Sequence, residues 1–233
     1  GLDLTLKESI QLPSHDPSTL VSAMAAVTQH LGFGVTVNLS YESPYQFARR
    51  FASLDHLTHG RMGWNIVTGY LDSAERLIGQ KGLKDHDLRY EQAEEFLELC
   101  YKFWEGSWED DAVQKDKLNR VFTDPSKVHA IQHQGKFFQS QGVFQVSPSI
   151  QRTPVLYQAG ASSKGLAFAT QHAEAMFIGA DTPEKLKQQV DKIRALALSH
   201  GRDEQAIKLF VGISVVTAET DKLAQEKLAE YIR

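Results

Sequence analysis

Val155-Leu156-Tyr157-Gln158-Ala159-Gly160-Ala161-Ser162-Ser163-Lys164-Gly165 reads as a short apolar strand, a turn of small residues and the first turn of a helix. That helix is expected to run to about residue 172. A strand at Ala175-Met176-Phe177-Ile178 follows, and Thr182-Pro183-Glu184 opens a long helix that His200-Gly201 ends. Residues 208–216 then read as a strand, and Asp221 leads a last helix. The same rhythm precedes the quoted stretch. Residues 32–39 form a β-rich run, and Pro44 opens a helix carrying Phe47, Phe51, Leu54 and Leu57 that Gly60 ends. Residues 62–68 are the next strand. Upstream, Asp16 or Ser18 caps a helix through Leu20, Val21, Met24 and Val27 to Leu31. A longer helix, roughly residues 89–104, places Phe96, Leu99, Cys100 and Phe103 on one face.

Five strand-then-helix units in series imply an α/β fold with a mostly parallel sheet and right-handed crossovers. An open dinucleotide-binding sheet should show G-x-G-x-x-G after its first strand. Gly32-Phe33-Gly34 lacks the third glycine and leads into a strand. The expected architecture is therefore a TIM-type (β/α)8 barrel. Only five units are visible, so parts at both ends are expected to be missing from this chain, which opens on Gly1 and not on Met. Residues 1–233 are read as one partial barrel domain. A long irregular excursion over about 105–150 is expected to hold one short helix and one hairpin.

Composition removes several functional classes. Hydrophobic residues are 42% and charged residues 23% of the 233, as in an ordinary globular domain, so disorder throughout the chain is excluded. The net charge is −4, with no basic block, which argues against a nucleic-acid partner. Cys100 is the single cysteine, so neither an internal disulfide nor a cysteine-built zinc site is possible, and a reducing cytoplasm suits it. No apolar run reaches the ~18 residues of a membrane span, and the opening residues lack the pattern of a secretion leader.

Three groups of residues carry candidate chemistry. The turn at Ala159, Gly160, Ala161 and Ser162 precedes a helix, where free amides and the positive dipole end attract an anion such as phosphate. A plain Ser N-cap with a glycine-containing turn reads the same way. Thr36, Asn38, Asn65, Thr68 and Gly69 fall at the carboxyl ends of two strands, the active end of a barrel. His86 and Tyr90, four apart, share one face near a helix start. His56 with His59 and His129 with His133 have helical spacing but no H-E-x-x-H, so no metal is expected. No G-x-S-x-G elbow and no phosphate-loop motif is present. A barrel hydrolase or aldolase is also disfavoured, because no paired carboxylates or Schiff-base lysine stand at strand ends.

Several further runs then matter together. They are Ala48-Arg49-Arg50, Leu54-Asp55-His56-Leu57-Thr58 with Gly60-Arg61, and Trp64-Asn65-Ile66-Val67-Thr68. Tyr101-Lys102-Phe103-Trp104-Glu105-Gly106-Ser107-Trp108, Thr123-Asp124-Pro125-Ser126-Lys127-Val128-His129 and His133-Gln134-Gly135-Lys136-Phe137 follow, and Gln151-Arg152-Thr153-Pro154 leads into the stretch quoted first. This set resembles the bacterial-luciferase-like flavin monooxygenases, in the group holding the nitrilotriacetate, dibenzothiophene-sulfone and long-chain-alkane enzymes.

The resemblance implies a TIM-type barrel that uses reduced FMN and O2 to oxygenate a small, hydrophobic organic substrate. It implies a separate NAD(P)H-dependent flavin reductase, and by analogy a homo-oligomer. Carried over residue by residue, Thr36 is a strand-end flavin contact and Asn65 lies near the isoalloxazine. His86 and Tyr90 belong to the phosphate region, and Ala159, Gly160, Ala161 and Ser162 form the phosphate turn. Gln11 and Tyr70 lie near the reacting end. Two departures stand out. Gly69 occupies a position where the family usually has Ser, keeping only its amide for the cofactor, and Leu77-Ile78-Gly79 replaces an Asn-Phe-Gly ending. The alternative is a catalytically silent or truncated barrel serving as a flavin-binding or assembly module.

Overall fold

The computed structural model of the chain describes residues 2–10 and 12–232. Gln11 therefore lies outside the described residues. The chain opens with α1 (Leu2–Lys7) and α2 (Ser18–Ala26), then β1 (Phe33–Asn38), α3 (Pro44–Thr58), β2 (Met62–Val67), α4 (Asp72–Leu77) and α5 (His86–Tyr101). A π-helical turn (Lys102–Gly106), β3 (Val113–Asp116), β4 (Val121–Thr123), a 3-10 turn (Pro125–Lys127), β5 (Ile131–Gln134) and β6 (Gln139–Gly142) follow. The chain closes with β7 (Val155–Gln158), α6 (Ser163–His172), β8 (Ala175–Ile178), α7 (Pro183–Ser199), β9 (Lys208–Val211) and α8 (Asp221–Tyr231).

Five strands form one parallel sheet in the order β1-β2-β7-β8-β9. Each new strand of this sheet joins beside the last, the order expected of strand-helix units wound in series. Alternation along the strands separates two faces. Phe33, Val35, Met62, Trp64, Ile66, Leu156 and Met176 are buried on the helix side. There Phe47 and Phe51 of α3, Trp64 of β2 and Phe96 of α5 make the centre of the core, with Phe47 4.2 Å from Trp64 and 5.6 Å from Phe96 between ring centroids. A second cluster of Leu166, Met176, Ile193, Ala197 and Ile207 packs α6 and α7 against the sheet. The opposite face carries Thr36, Asn65, Tyr157, Phe177 and Phe210. Their rings form a row, Tyr157 to Phe177 at 6.1 Å and Phe177 to Phe210 at 5.6 Å. Gly63 makes room for that row, since a Cβ there would lie 2.6 Å from the Tyr157 ring.

Local chemistry explains where the helices start. Ser43, Asp85, Ser162, Thr182 and Thr220 each accept a first-turn amide, and Pro follows Ser43 and Thr182 at the first helical position. Where α3 stops, His59 takes the left-handed conformation at φ 55° with Gly60 beside it.

The structure corrects several expectations. α2 ends at Ala26 and buries Ser18, Val21 and Ala25, leaving Leu20, Met24, Val27 and Leu31 exposed. The long helix starts at His86 and gives way to the π turn after Tyr101. The excursion over 105–150 holds the expected short helix, the 3-10 turn, but two antiparallel hairpins, β3–β4 and β5–β6, where one was expected. β9 stops at Val211, where its ladder with β8 ends at Ile178. α4 was not expected. His59 caps α3 and does not lie along it, and His133 lies on β5, so neither histidine pair shares a helix face. Among the described residues, no group of three or more His, Cys, Asp or Glu is placed to hold a metal, and no helix is long and apolar enough to cross a membrane.

Candidate cofactor site

A parallel sheet gathers the carboxyl ends of its strands at one edge, so residues distant in sequence become neighbours there. At the end of β1, Thr36 stands opposite Asn65 of β2, and Asn65 Nδ2 donates to Thr36 Oγ1 at 3.0 Å. The second amide atom of Asn65, Oδ1, is buried and has no partner among the described residues. Such an orphan is costly unless something arrives to satisfy it. Asn38 is buried nearby, its Oδ1 accepting the Ser40 amide at 3.0 Å.

The turn after β2 is unusually tight. Gly69 sits at φ +82°, and a Cβ there would lie 2.8 Å from Asn38 Nδ2 and 3.1 Å from Glu75 Oε1. Glycine at this position is thus a backbone requirement, which accounts for the lost hydroxyl. Arg89 of α5 donates through Nη1 to the carbonyl oxygens of Gly69 and, at 3.5 Å, of Thr68. Tyr70, on the same loop, is 76% exposed.

The second half of the site is the β7–α6 turn. Gln158 reaches round it and accepts the Gly160 amide, while Ser162 Oγ accepts the Gly165 amide at 3.0 Å. Two of the expected free donors are therefore already used. Among the described residues, the amides of Ala161, Ser162, Ser163 and Lys164 have no protein acceptor. Tyr90 leans over the turn: a Cβ on Gly160 would lie 3.0 Å from its hydroxyl oxygen, and one on Gly165 2.7 Å. That hydroxyl also takes no protein partner among the described residues. The Tyr90 ring packs 5.1 Å from His86 and 5.8 Å from Phe168. Asp87 beside it is held below the usual carboxylate range by its hydrogen bond from His86, helped by the charges of Lys164 and His86 itself.

The structure thus sets the Tyr90 hydroxyl against Gly160 and Gly165 and packs His86 on the Tyr90 ring, with Ala159, Ala161 and Ser162 exposed along the turn. It pairs Thr36 with Asn65 on adjacent strands, and sets Gly69 against Asn38 and Glu75 in the turn beyond β2. Free amides, hydroxyls and a histidine converge on the β7–α6 turn, and that set suits an anion of phosphate type. Cys100 has no part in it: burial pushes its thiol well up, and Sγ faces the Pro44 carbonyl at 3.9 Å. Two residues absent from the sequence reading belong here, Arg89 and Glu75. Arg89 lies between His86 and Tyr90 in α5, and that position was the one available signal.

Comparison with known proteins shows the family. A family model described as luciferase-like monooxygenase matches residues 5–233. The chain is 51% identical over 229 residues to a long-chain alkane monooxygenase of Geobacillus thermodenitrificans (strain NG80-2), covering 98% of this chain and 52% of that protein. It is 49% identical over 230 residues to a dimethyl-sulfide monooxygenase of Hyphomicrobium sulfonivorans, covering 99% of this chain and 48% of that protein. Among solved structures, a riboflavin lyase crystallised with modified FMN and riboflavin superposes with a TM-score of 0.92 at 44% identity, covering 98% of this chain and 51% of that one. The chain spans about half the length of the curated relatives it matches. With the parallel sheet and strand-end site in hand, the chain belongs to the luciferase-like monooxygenase family.

Proposed function

We propose that the polypeptide carrying this chain is a two-component monooxygenase. It takes reduced FMN from a separate NAD(P)H-dependent flavin reductase and uses O2 to oxygenate a small hydrophobic organic substrate. The five sequential parallel strands are consecutive staves of a (β/α)8 barrel, whose inner face is the one carrying Thr36, Asn65 and Tyr157.

One observation carries the reading: α5 sets the unpartnered Tyr90 hydroxyl against Gly160 and Gly165, beside a helix N-terminus with open amides. Side chains at either glycine would fill that space. The amides of Ala161 to Lys164, the Ser162 and Ser163 hydroxyls, Tyr90 and His86 would hold the flavin phosphate. Thr36, Asn65 and the Gly69 amide would hold the ring end, where the orphaned Asn65 Oδ1 gains a donor. Bound reduced flavin supplies the electrons that activate O2. The protein's own part is to fix both ends of the cofactor, with Tyr70 at the reacting end.

The test is an anaerobic titration with reduced FMN, followed by reductase-coupled oxygen uptake on a panel of apolar substrates. Saturable binding near one FMN per chain, weakened by Tyr90→Ala, is expected. Absence of saturable binding would refute the reading. Binding without substrate-coupled product would favour a flavin-binding module instead.

A further inference from the structure

Consecutive residues of α5 touch the two halves of the site. Arg89 donates to the carbonyls of Thr68 and Gly69, while Tyr90 rests on Gly160 and Gly165. Arg89 Nε is buried and has no partner among the described residues. The same holds for Oε1 of Glu75, a residue only 3% exposed, which abuts Gly69. A half-buried guanidinium and a buried carboxylate therefore converge on one glycine turn. Burying such charges is unfavourable unless hydrogen bonds or an opposite charge offset the lost hydration, and for Arg89 the carbonyls of Thr68 and Gly69 supply those bonds.

We propose that Arg89, assisted by Glu75, is the positioning residue of the cofactor site. It acts through backbone: it holds the Thr68–Gly69 turn at the end of β2, while its neighbour Tyr90 holds the turn at the end of β7. One rigid helix thereby sets the separation between the grip on the flavin ring and the grip on the phosphate. Arg89 Nη1 alone reaches both carbonyls, held there by a planar guanidinium that the flexible ammonium of lysine lacks. This inference rests on the flavin reading above.

The experiment compares wild type, Arg89→Gln, Arg89→Lys and a remote core control, Ile193→Val, in the complete polypeptide. FMN affinity is read by flavin fluorescence, the pose of bound flavin by visible circular dichroism, and the turn by amide hydrogen exchange over residues 67–71. Arg89→Gln is expected to weaken FMN at least tenfold, change the flavin dichroism and speed exchange in the turn at least tenfold. Arg89→Lys should fall between it and wild type, and Ile193→Val should leave all three unchanged. If Arg89→Gln does not fold, Arg89→Lys decides by the same readouts. Unchanged affinity and dichroism beside clear wild-type binding would overturn the inference alone, as would an equal loss in Ile193→Val. No binding by wild type would overturn the flavin reading, and the role of Arg89 with it.

Discussion

Gly165→Ala tests the cradle directly. Gly165 is buried in the first turn of α6, where alanine is intrinsically better by about 1 kcal/mol. The added Cβ would lie 2.7 Å from the Tyr90 hydroxyl oxygen and 3.1 Å from both Gly160 Cα and Ser162 Oγ. Overpacking of this kind costs about 1–3 kcal/mol. The propensity gain offsets part of that, so the variant should lose about 0–2 kcal/mol. Tyr90→Phe removes the nearest clashing atom and, having no protein hydrogen bond to break, should cost under about 1 kcal/mol by itself. In the Tyr90→Phe background the clash with the hydroxyl is gone and the propensity gain remains, so Gly165→Ala should stabilise by about 0–1 kcal/mol, the more so the smaller its loss in wild type. The four proteins form a cycle measured by urea unfolding, with an expected favourable coupling of about 1–2 kcal/mol. Flavin affinity should fall about tenfold in Gly165→Ala, an energy of about 1.4 kcal/mol. Additivity within about 0.5 kcal/mol would refute the placement of Tyr90 over the turn.

Gly69→Ser and Gly69→Ala should both destabilise by about 1–3 kcal/mol in urea titrations, because the obstacle is a backbone at φ +82° crowded by Asn38 and Glu75. Wild-type stability in Gly69→Ser would show that the turn relaxes freely. Burial opposes ionisation of Glu95, but the amides of Phe137 and Phe138 and the ring of His133 outweigh it and hold the carboxyl below its usual range. Its contribution is therefore full above the unfolded pKa of about 4.3 and is lost as pH falls through the lower folded value. Glu95→Gln should remove that part of the acid slope in pH-dependent melts, and an unchanged slope would refute the assignment. Cys100, buried with its thiol pushed up, should react with a thiol reagent only upon unfolding, and fast native labelling would contradict that burial.

Much of the fold was readable because it is punctuated. Ser43-Pro44, Ser162 and Thr182-Pro183 each mark a helix start with a side-chain acceptor, and the apolar runs between them can only be strands. The failures share a different cause. β3 and β4 bury no residue fully, so no alternation of buried and exposed positions betrays them. α2 buries its small Ala25 and Ser18 and leaves Leu20 and Met24 in solvent, a choice made by what packs against it. β9 is cut short by the end of its partner strand and by nothing in its own residues.

The site divides along the same line. Strand-end rules pointed to Thr36, Asn65 and the Gly160 turn, because their signatures are side-chain types at fixed offsets. Arg89 escaped because its partners are the carbonyls of Thr68 and Gly69, and a backbone acceptor leaves no mark in a sequence. The runs that carried the family resemblance are instructive in the same way. Asp55 accepts the Gln151 amide at 2.9 Å and its side-chain amide at 2.6 Å. Trp104 donates to the Ala48 carbonyl at 3.1 Å, and Arg152 donates to the Trp104 carbonyl at 3.0 Å. These residues tie the excursion to α3 and to the π turn; none touches the candidate site. A large share of what identifies the family is thus scaffold that fixes the strand ends in space. The resemblance accordingly predicts where a cofactor is gripped better than it predicts which substrate meets it.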